Sequence, residues 1–142
     1  MEQIFDAMHD LYVKSKAQSF LLIDVPPMHR SPGGKEVDLD DERYMTWNSE
    51  LLLQANTFAK EASKASIYVI SSYSIMSDIL EDPARYGLLD TVGGEDKTDD
   101  GEDEEEDILD SEGPKPMWED DIHLSSVGHR VLADRLWEIL RG

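Results

Sequence analysis

The chain is 142 residues long and contains no cysteine, which leaves room for one domain of ordinary size and excludes disulfides and thiolate metal sites. Its 32 acidic and 13 basic residues give a formal net charge of −19, and a surface of that sign repels phosphate backbones and anionic lipid, so nucleic acid and membranes are not expected partners. No apolar run approaches the roughly 18 residues of a membrane span, and the N-terminus lacks the basic start and apolar centre of a signal peptide, so a cytoplasmic setting is the default expectation.

Residues 1–16 are expected to form a helix. Ile4, Met8, Leu11 and Tyr12 recur at helical spacing, with Asp6, Asp10 and Lys14 off the stripe. The run from Ser19 to Val25 is almost continuously apolar and is closed by Pro26 and Pro27. Such a run suits a strand buried on both faces of a parallel sheet. The next residues, 26–41, are dense in proline, glycine and aspartate and read as a loop. Met28, His29 and Arg30 would follow the strand at its carboxyl end, where open α/β sheets place their ligands. Met28 and His29 are therefore either substrate-lining residues or part of an ordinary exposed turn.

Asp40 or Asp41 offers a cap for a long helix from about Glu42 to Lys64. Its stripe is Tyr44, Trp47, Leu51, Gln54 and Phe58, and the aromatic members are expected in the core. Residues 66–71 form a second β-branched, strand-like run. A further helix over about 73–82 should end before Pro83. Between Glu95 and Glu112 there are twelve acids and one lysine, so a disordered acidic insertion is expected at about 93–113. Trp118 to His123 then re-enter the fold, and Ser125 caps a last helix. That helix would bury Val131, Leu132, Leu136, Ile139 and Leu140.

Strands alternating with long helices argue for an α/β architecture with a parallel sheet. Two strands make a poor sheet, however, because a two-stranded ribbon is barely stable and a doubly buried strand sits between others. The chain is therefore expected to be part of something larger.

The chemistry concentrates in Trp118-Glu-Asp-Asp-Ile-His-Leu-Ser-Ser-Val-Gly-His129. A turn from Asp120 to His123 can set the carboxylate beside the imidazole Nδ1–H. This fixes the tautomer and leaves Nε2 free as a base for a serine hydroxyl in acyl transfer. Asp121 is an alternative orienting acid, and a solvated histidine beside chance acids is the plain alternative to both. His129 lies six residues beyond His123 and would not share its helix face, so a metal pair is not expected. Ser71 and Ser72 end the second strand and sit in no nucleophile elbow, and strand-end capping accounts for them. No metal or cofactor is expected.

The segment DDIHLSSVGHRVLADRL resembles the last sequence block of the SGNH hydrolases, the GDSL-type esterases and lipases, in which Asp-x-x-His runs into a helix. FLLIDVPPMHRSP is similar to the strand and Val-Pro-Pro segment of that family's fungal members, and YMTWNSELL to the helix that follows. The likeness spans nearly the full chain and is nearest to acylhydrolases akin to carbohydrate esterase family sixteen. It implies an incomplete three-layer α/β/α, flavodoxin-like domain whose N-terminal strands are missing, with Asp120 as orienting acid and His123 as base, acting on a small-molecule or carbohydrate ester. The family's Gly-Asp-Ser, oxyanion-glycine and Gly-x-Asn-Asp blocks have no counterpart here. The resemblance thus implies the C-terminal part of an esterase, inactive in isolation. A non-catalytic acidic interaction protein that keeps an esterase remnant is the second reading.

Overall fold

A computed structural model of the chain describes residues 1–93 and 113–142, so most of the acidic stretch lies outside the described residues. The protein is mixed α/β. It divides into two compact units, one of Met1–Pro27 with Asp40–Ser74, the other of Met28–Leu39 with Ile75–Gly142. None of the described helices is long and apolar enough to cross a membrane.

The first unit is built from α1 (Glu2–Lys14), β1 (Ser19–Ile23), α3 (Glu42–Glu61) and β2 (Ser66–Ile70). β1 and β2 pair in parallel, from Ser19 opposite Ser66 to Ile23 opposite Ile70. Strand periodicity puts Phe20, Leu22, Ile67 and Val69 on one face of this pair. The face packs on Phe58, Met8 and Ala62. Phe58 is the hub: the rings of Phe5 and Tyr12 lie 6.3 Å from its centroid and that of Phe20 lies 5.6 Å away, edge-on, the arrangement ring quadrupoles favour.

The opposite face of the sheet is a correction to the doubly buried strand. Leu21, Ile23 and Tyr68 are 45%, 48% and 58% exposed, and only Ile70 on that face is buried. One layer of helices covers one side of the sheet, so the continuous apolar run of β1 is only half used.

The expected helix stripes hold in part: Met8, Tyr12, Leu51 and Phe58 turn inward, and other members do not. In α1 it is Phe5, Met8 and Tyr12 that turn inward, while Ile4 and Leu11 are exposed, because Phe58 gathers the aromatic pair. In α3 the inward residues are Leu51, Ala55 and Phe58, in register with Asn48 rather than Trp47. Asn48 explains the choice. Its Oδ1 accepts from the Val25 N–H and its Nδ2 donates to the Val25 carbonyl, both at 2.9 Å, so an amide on α3 replaces the ladder where β1 ends. Trp47 is left at the surface.

β1 ends at Asp24, whose carboxylate caps the next helix, α4 (Ser72–Glu81). Asp24 Oδ1 accepts from Tyr73 N (2.9 Å) and the Ser72 hydroxyl (3.0 Å), and Oδ2 from the Ser71 hydroxyl (2.6 Å). Ser71 Oγ in turn accepts from Ser74 N (3.1 Å). Both serine hydroxyls are thus spent on the helix start.

The second unit holds two strands that were not expected, β3 (Leu88–Val92) and β4 (Lys115–Trp118), which pair in parallel on either side of the acidic stretch. β3 offers a single buried residue, Leu88, and β4 contains Pro116. Neither segment therefore carries the apolar alternation that marks a strand in sequence. Residues 26–41 are also more ordered than a loop. They contain a 3-10 turn, Met28–Arg30, and a short helix α2, Pro32–Glu36, capped by the Ser31 hydroxyl, which accepts from Gly34 N at 3.1 Å. Ser-Pro at the cap and first helical position was the signal for it.

The last helix, α5 (Ser126–Arg141), is capped by Ser125 as expected, with Oγ accepting from Gly128 N at 3.1 Å. Of its expected buried face, Val131, Leu132 and Leu136 are half-buried, whereas Ile139 and Leu140 are exposed. The amphipathic face is longer than the surface available to cover it.

Candidate functional site

The site is the loop between β4 and α5. Trp118 bridges Leu124 in antiparallel fashion, Glu119 N donates to His123 O (2.8 Å), and Ser125 N donates to Met117 O (2.9 Å). These bonds zip the chain entering the loop to the chain leaving it, so Asp120, Asp121 and Ile122 form a tight tip. Gly128 lets α5 leave this close to β4. A Cβ there would stand 2.5 Å from Met117 O.

Within the tip, Asp120 organises the turn. Its Oδ1 accepts from Ile122 N (2.9 Å) and His123 N (2.8 Å), and Oδ2 lies 2.7 Å from His123 Nδ1. The two backbone bonds are an Asx turn, the local motif that aspartate forms readily. The carboxylate is held well below its ordinary range, from 3.8 to about 2, by the N–H of Ile122 first, then the His123 ring and the N–H of His123. An ionised carboxylate only accepts hydrogen bonds, so Nδ1 carries the proton and the neutral ring keeps its lone pair on Nε2. The side chain of His123 is 70% exposed. The pair is thus preformed and open to solvent.

Asp121 contributes its backbone, not its carboxylate. Its carbonyl accepts from Gly33 N at 2.8 Å, and a Cβ on Gly33 would sit 3.1 Å from its own Cβ. The 28–36 segment therefore meets the site loop at Gly33. Met28 and His29 lie one turn earlier, half-buried, in the 3-10 turn. Met28 serves that turn through its carbonyl, which accepts from the Ser31 hydroxyl (2.8 Å), and Gly34 passes so close that a Cβ would be 2.2 Å from the same oxygen. Arg30 ties the turn to α4 through Glu81 (3.1 Å).

Sequence reasoning missed Asp90. Trp118 is fully buried, and its indole N–H donates to Asp90 Oδ1 (2.7 Å), while Lys35 Nζ reaches Asp90 Oδ2 (2.6 Å). One carboxylate on β3 therefore joins α2 to the residue from which the site loop springs. No local pattern signals a contact across 28 residues. His129 is exposed on the first turn of α5, and among the described residues no three His, Asp or Glu side chains gather in a metal-binding group.

No protein-family model matches the chain, and no curated protein matches it.

Proposed function

We propose that this chain is the C-terminal part of an ester hydrolase of the SGNH type, with a flavodoxin-like sheet completed by strands that it does not itself carry. The observation behind the reading is the 2.7 Å contact of His123 Nδ1 with an Asp120 carboxylate already anchored by two backbone N–H groups. A histidine so held is oriented, has a defined tautomer and exposes Nε2. Among the described residues this sheet has two strands, with both edges free for further ones, and its bare face at Leu21, Ile23 and Tyr68 calls for a covering layer. Both support the reading of an incomplete fold.

In the complete enzyme His123 Nε2 would take the hydroxyl proton of a serine as that oxygen attacks the ester carbonyl. The resulting imidazolium, stabilised by Asp120, would then protonate the departing alcohol. Water would attack the acyl-serine with His123 again as base, releasing the acid. The serine and the oxyanion donors lie in sequence outside this chain, so the chain alone has nothing for His123 to activate. The substrate class is a small-molecule or carbohydrate ester.

Hydrolysis of a short-chain nitrophenyl ester tests this. The isolated chain should be inert, and the chain joined to an upstream Gly-Asp-Ser-bearing segment of the family should turn over. Turnover by the isolated chain that is lost in His123→Ala, or no turnover from a folded fusion, contradicts the proposal.

A further inference from the structure

Asp90 is held by two elements that frame the site loop from different sides. Its Oδ1 accepts from the Trp118 indole N–H (2.7 Å) and its Oδ2 from Lys35 Nζ (2.6 Å). Lys35 lies on α2, which also reaches the tip of the loop, where Gly33 N donates to the Asp121 carbonyl (2.8 Å). These contacts close a ring. It runs from Asp121 to Gly33, along α2 to Lys35, across to Asp90, on to Trp118, and along the chain back to Asp121. Asp120 lies on the short span between Trp118 and Asp121, and His123 is bonded to Asp120. The loop is thus gripped at its base and at its tip.

β3 is built for this contact. From Leu89 to Val92 it takes three steps while β4, from Pro116 to Trp118, takes two, so the register slips by one residue beside Asp90. In an unslipped ladder Asp90 would stand opposite Met117. Successive strand residues point to opposite faces, so the Trp118 side chain would then face away from it. The slip re-aims the carboxylate onto the indole, as bulges beside functional loops do.

The grip reaches the Asp120–His123 contact through the backbone. Trp118 is fully buried, its carbonyl accepts from Gly93 N (2.7 Å), and the next residue, Glu119, closes the loop on His123 O (2.8 Å). A rotation of the strand end at Trp118 would pass directly into that bond and into the Asp120 turn beyond it.

We propose that Asp90 is a positioning residue for the Asp120–His123 pair, acting through Trp118 at the base of the loop and through Lys35 and α2 at its tip. Its effect on catalysis rests on the ester-hydrolase reading, whereas its effect on the pair does not. Satisfying a buried indole N–H would by itself support stability and leave the state of the His123 ring alone.

The test reads the His123 tautomer by imidazole nitrogen NMR of the full chain, at a pH where the neutral ring is observed. The Nδ1–H form should dominate in the wild type. Asp90→Ala, and Trp118→Phe, which removes the donor but keeps a ring in the core, should each lower the ratio of Nδ1–H to Nε2–H about tenfold, the scale of one charge-assisted hydrogen bond. Should Asp90→Ala fail to fold, Trp118→Phe decides. Ile79→Val, which trims a buried side chain of α4, should lower the melting point and leave the ratio unchanged. In the protein joined to its serine-bearing segment, Asp90→Ala should lower kcat about tenfold with KM within about twofold, and should cost nothing further once Asp120 is replaced by Asn. An unmoved ratio in the folded variants, an equal fall in Ile79→Val, or a raised KM with kcat kept would overturn the inference. A joined protein without turnover would contradict the ester-hydrolase reading instead, and the tautomer ratio would still decide the role of Asp90.

Discussion

In the loop from Trp118 to Ser125, the Asp120 carboxylate, the Glu119 N–H and the Ser125 hydroxyl all find partners within nine residues of themselves. In the sheet of β1 and β2, three apolar side chains of one face stay open to solvent. The difference separates two kinds of encoding. A hydrogen-bonded turn is specified by a few adjacent residues and forms wherever its anchors hold. Burial needs a partner layer, and the helices that pack on this parallel sheet cover one of its faces. A hydrogen-bonded Asp–His pair can therefore be fully formed beside a sheet that is covered on one face only.

The anchors on each side give the largest expected effects. Phe58→Ala in the first unit and Trp118→Ala in the second should each cost about 3–5 kcal/mol, the usual scale for deleting a buried aromatic ring. Guanidinium denaturation measures both. A loss below about 1 kcal/mol at Trp118 would mean that the loop does not depend on its buried anchor.

Gly128→Ala comes next. Its Cβ would press on Met117 O, and the start of α5 must move against β4, at a cost of about 1–3 kcal/mol. An unchanged midpoint would show that the close approach relaxes freely.

On the open side of the sheet the effect should nearly vanish. Leu21→Thr with Tyr68→Thr should change stability of this chain by no more than about 0.5 kcal/mol. The same pair should weaken assembly with an upstream segment whose helices cover this face. A large loss in the chain alone would show that the face is already covered.

The smallest effect concerns acid. Asp120 is stabilised as the carboxylate in the folded loop, so its pKa lies at about 2, below the ordinary 3.8. The contribution of the turn is fully present above about pH 4 and is lost as the pH falls through about 2. Carboxyl-carbon NMR of Asp120 should titrate near 2, and a midpoint near 3.8 would show that the turn does not persist in solution.

The site was legible in the sequence because it is local. Asp120, His123 and the Ser125 cap lie within six residues, and the spacing allows the contact that the loop adopts, but it did not by itself separate that pair from a solvated histidine beside chance acids. The elements with strong periodicity, α1, α3, α5 and β2, were legible in extent, and the helices in part of their inward faces: Met8, Leu51 and Phe58 are buried as expected, whereas Ile4, Leu11 and Trp47 are exposed. Asn48 and Phe58 rotate the inward faces through contacts made far along the chain, with Val25, Phe5 and Tyr12. β3 and β4 escaped because their pairing, not their composition, makes them strands. The Asp90–Trp118–Lys35 link escaped for the same reason.

The central claim is that Asp120 and His123 act as a unit in ester hydrolysis. The direct measurement compares Asp120→Asn and Asp121→Asn in the protein joined to its serine-bearing segment. Asp120→Asn should lower kcat by about 10³–10⁴-fold with KM nearly unchanged, because it disturbs the tautomer and charge of the base and not the binding surface. Asp121→Asn should stay within a few fold, since Asp121 serves through its carbonyl. Equal losses at the two positions, or full activity in Asp120→Asn, would contradict the account.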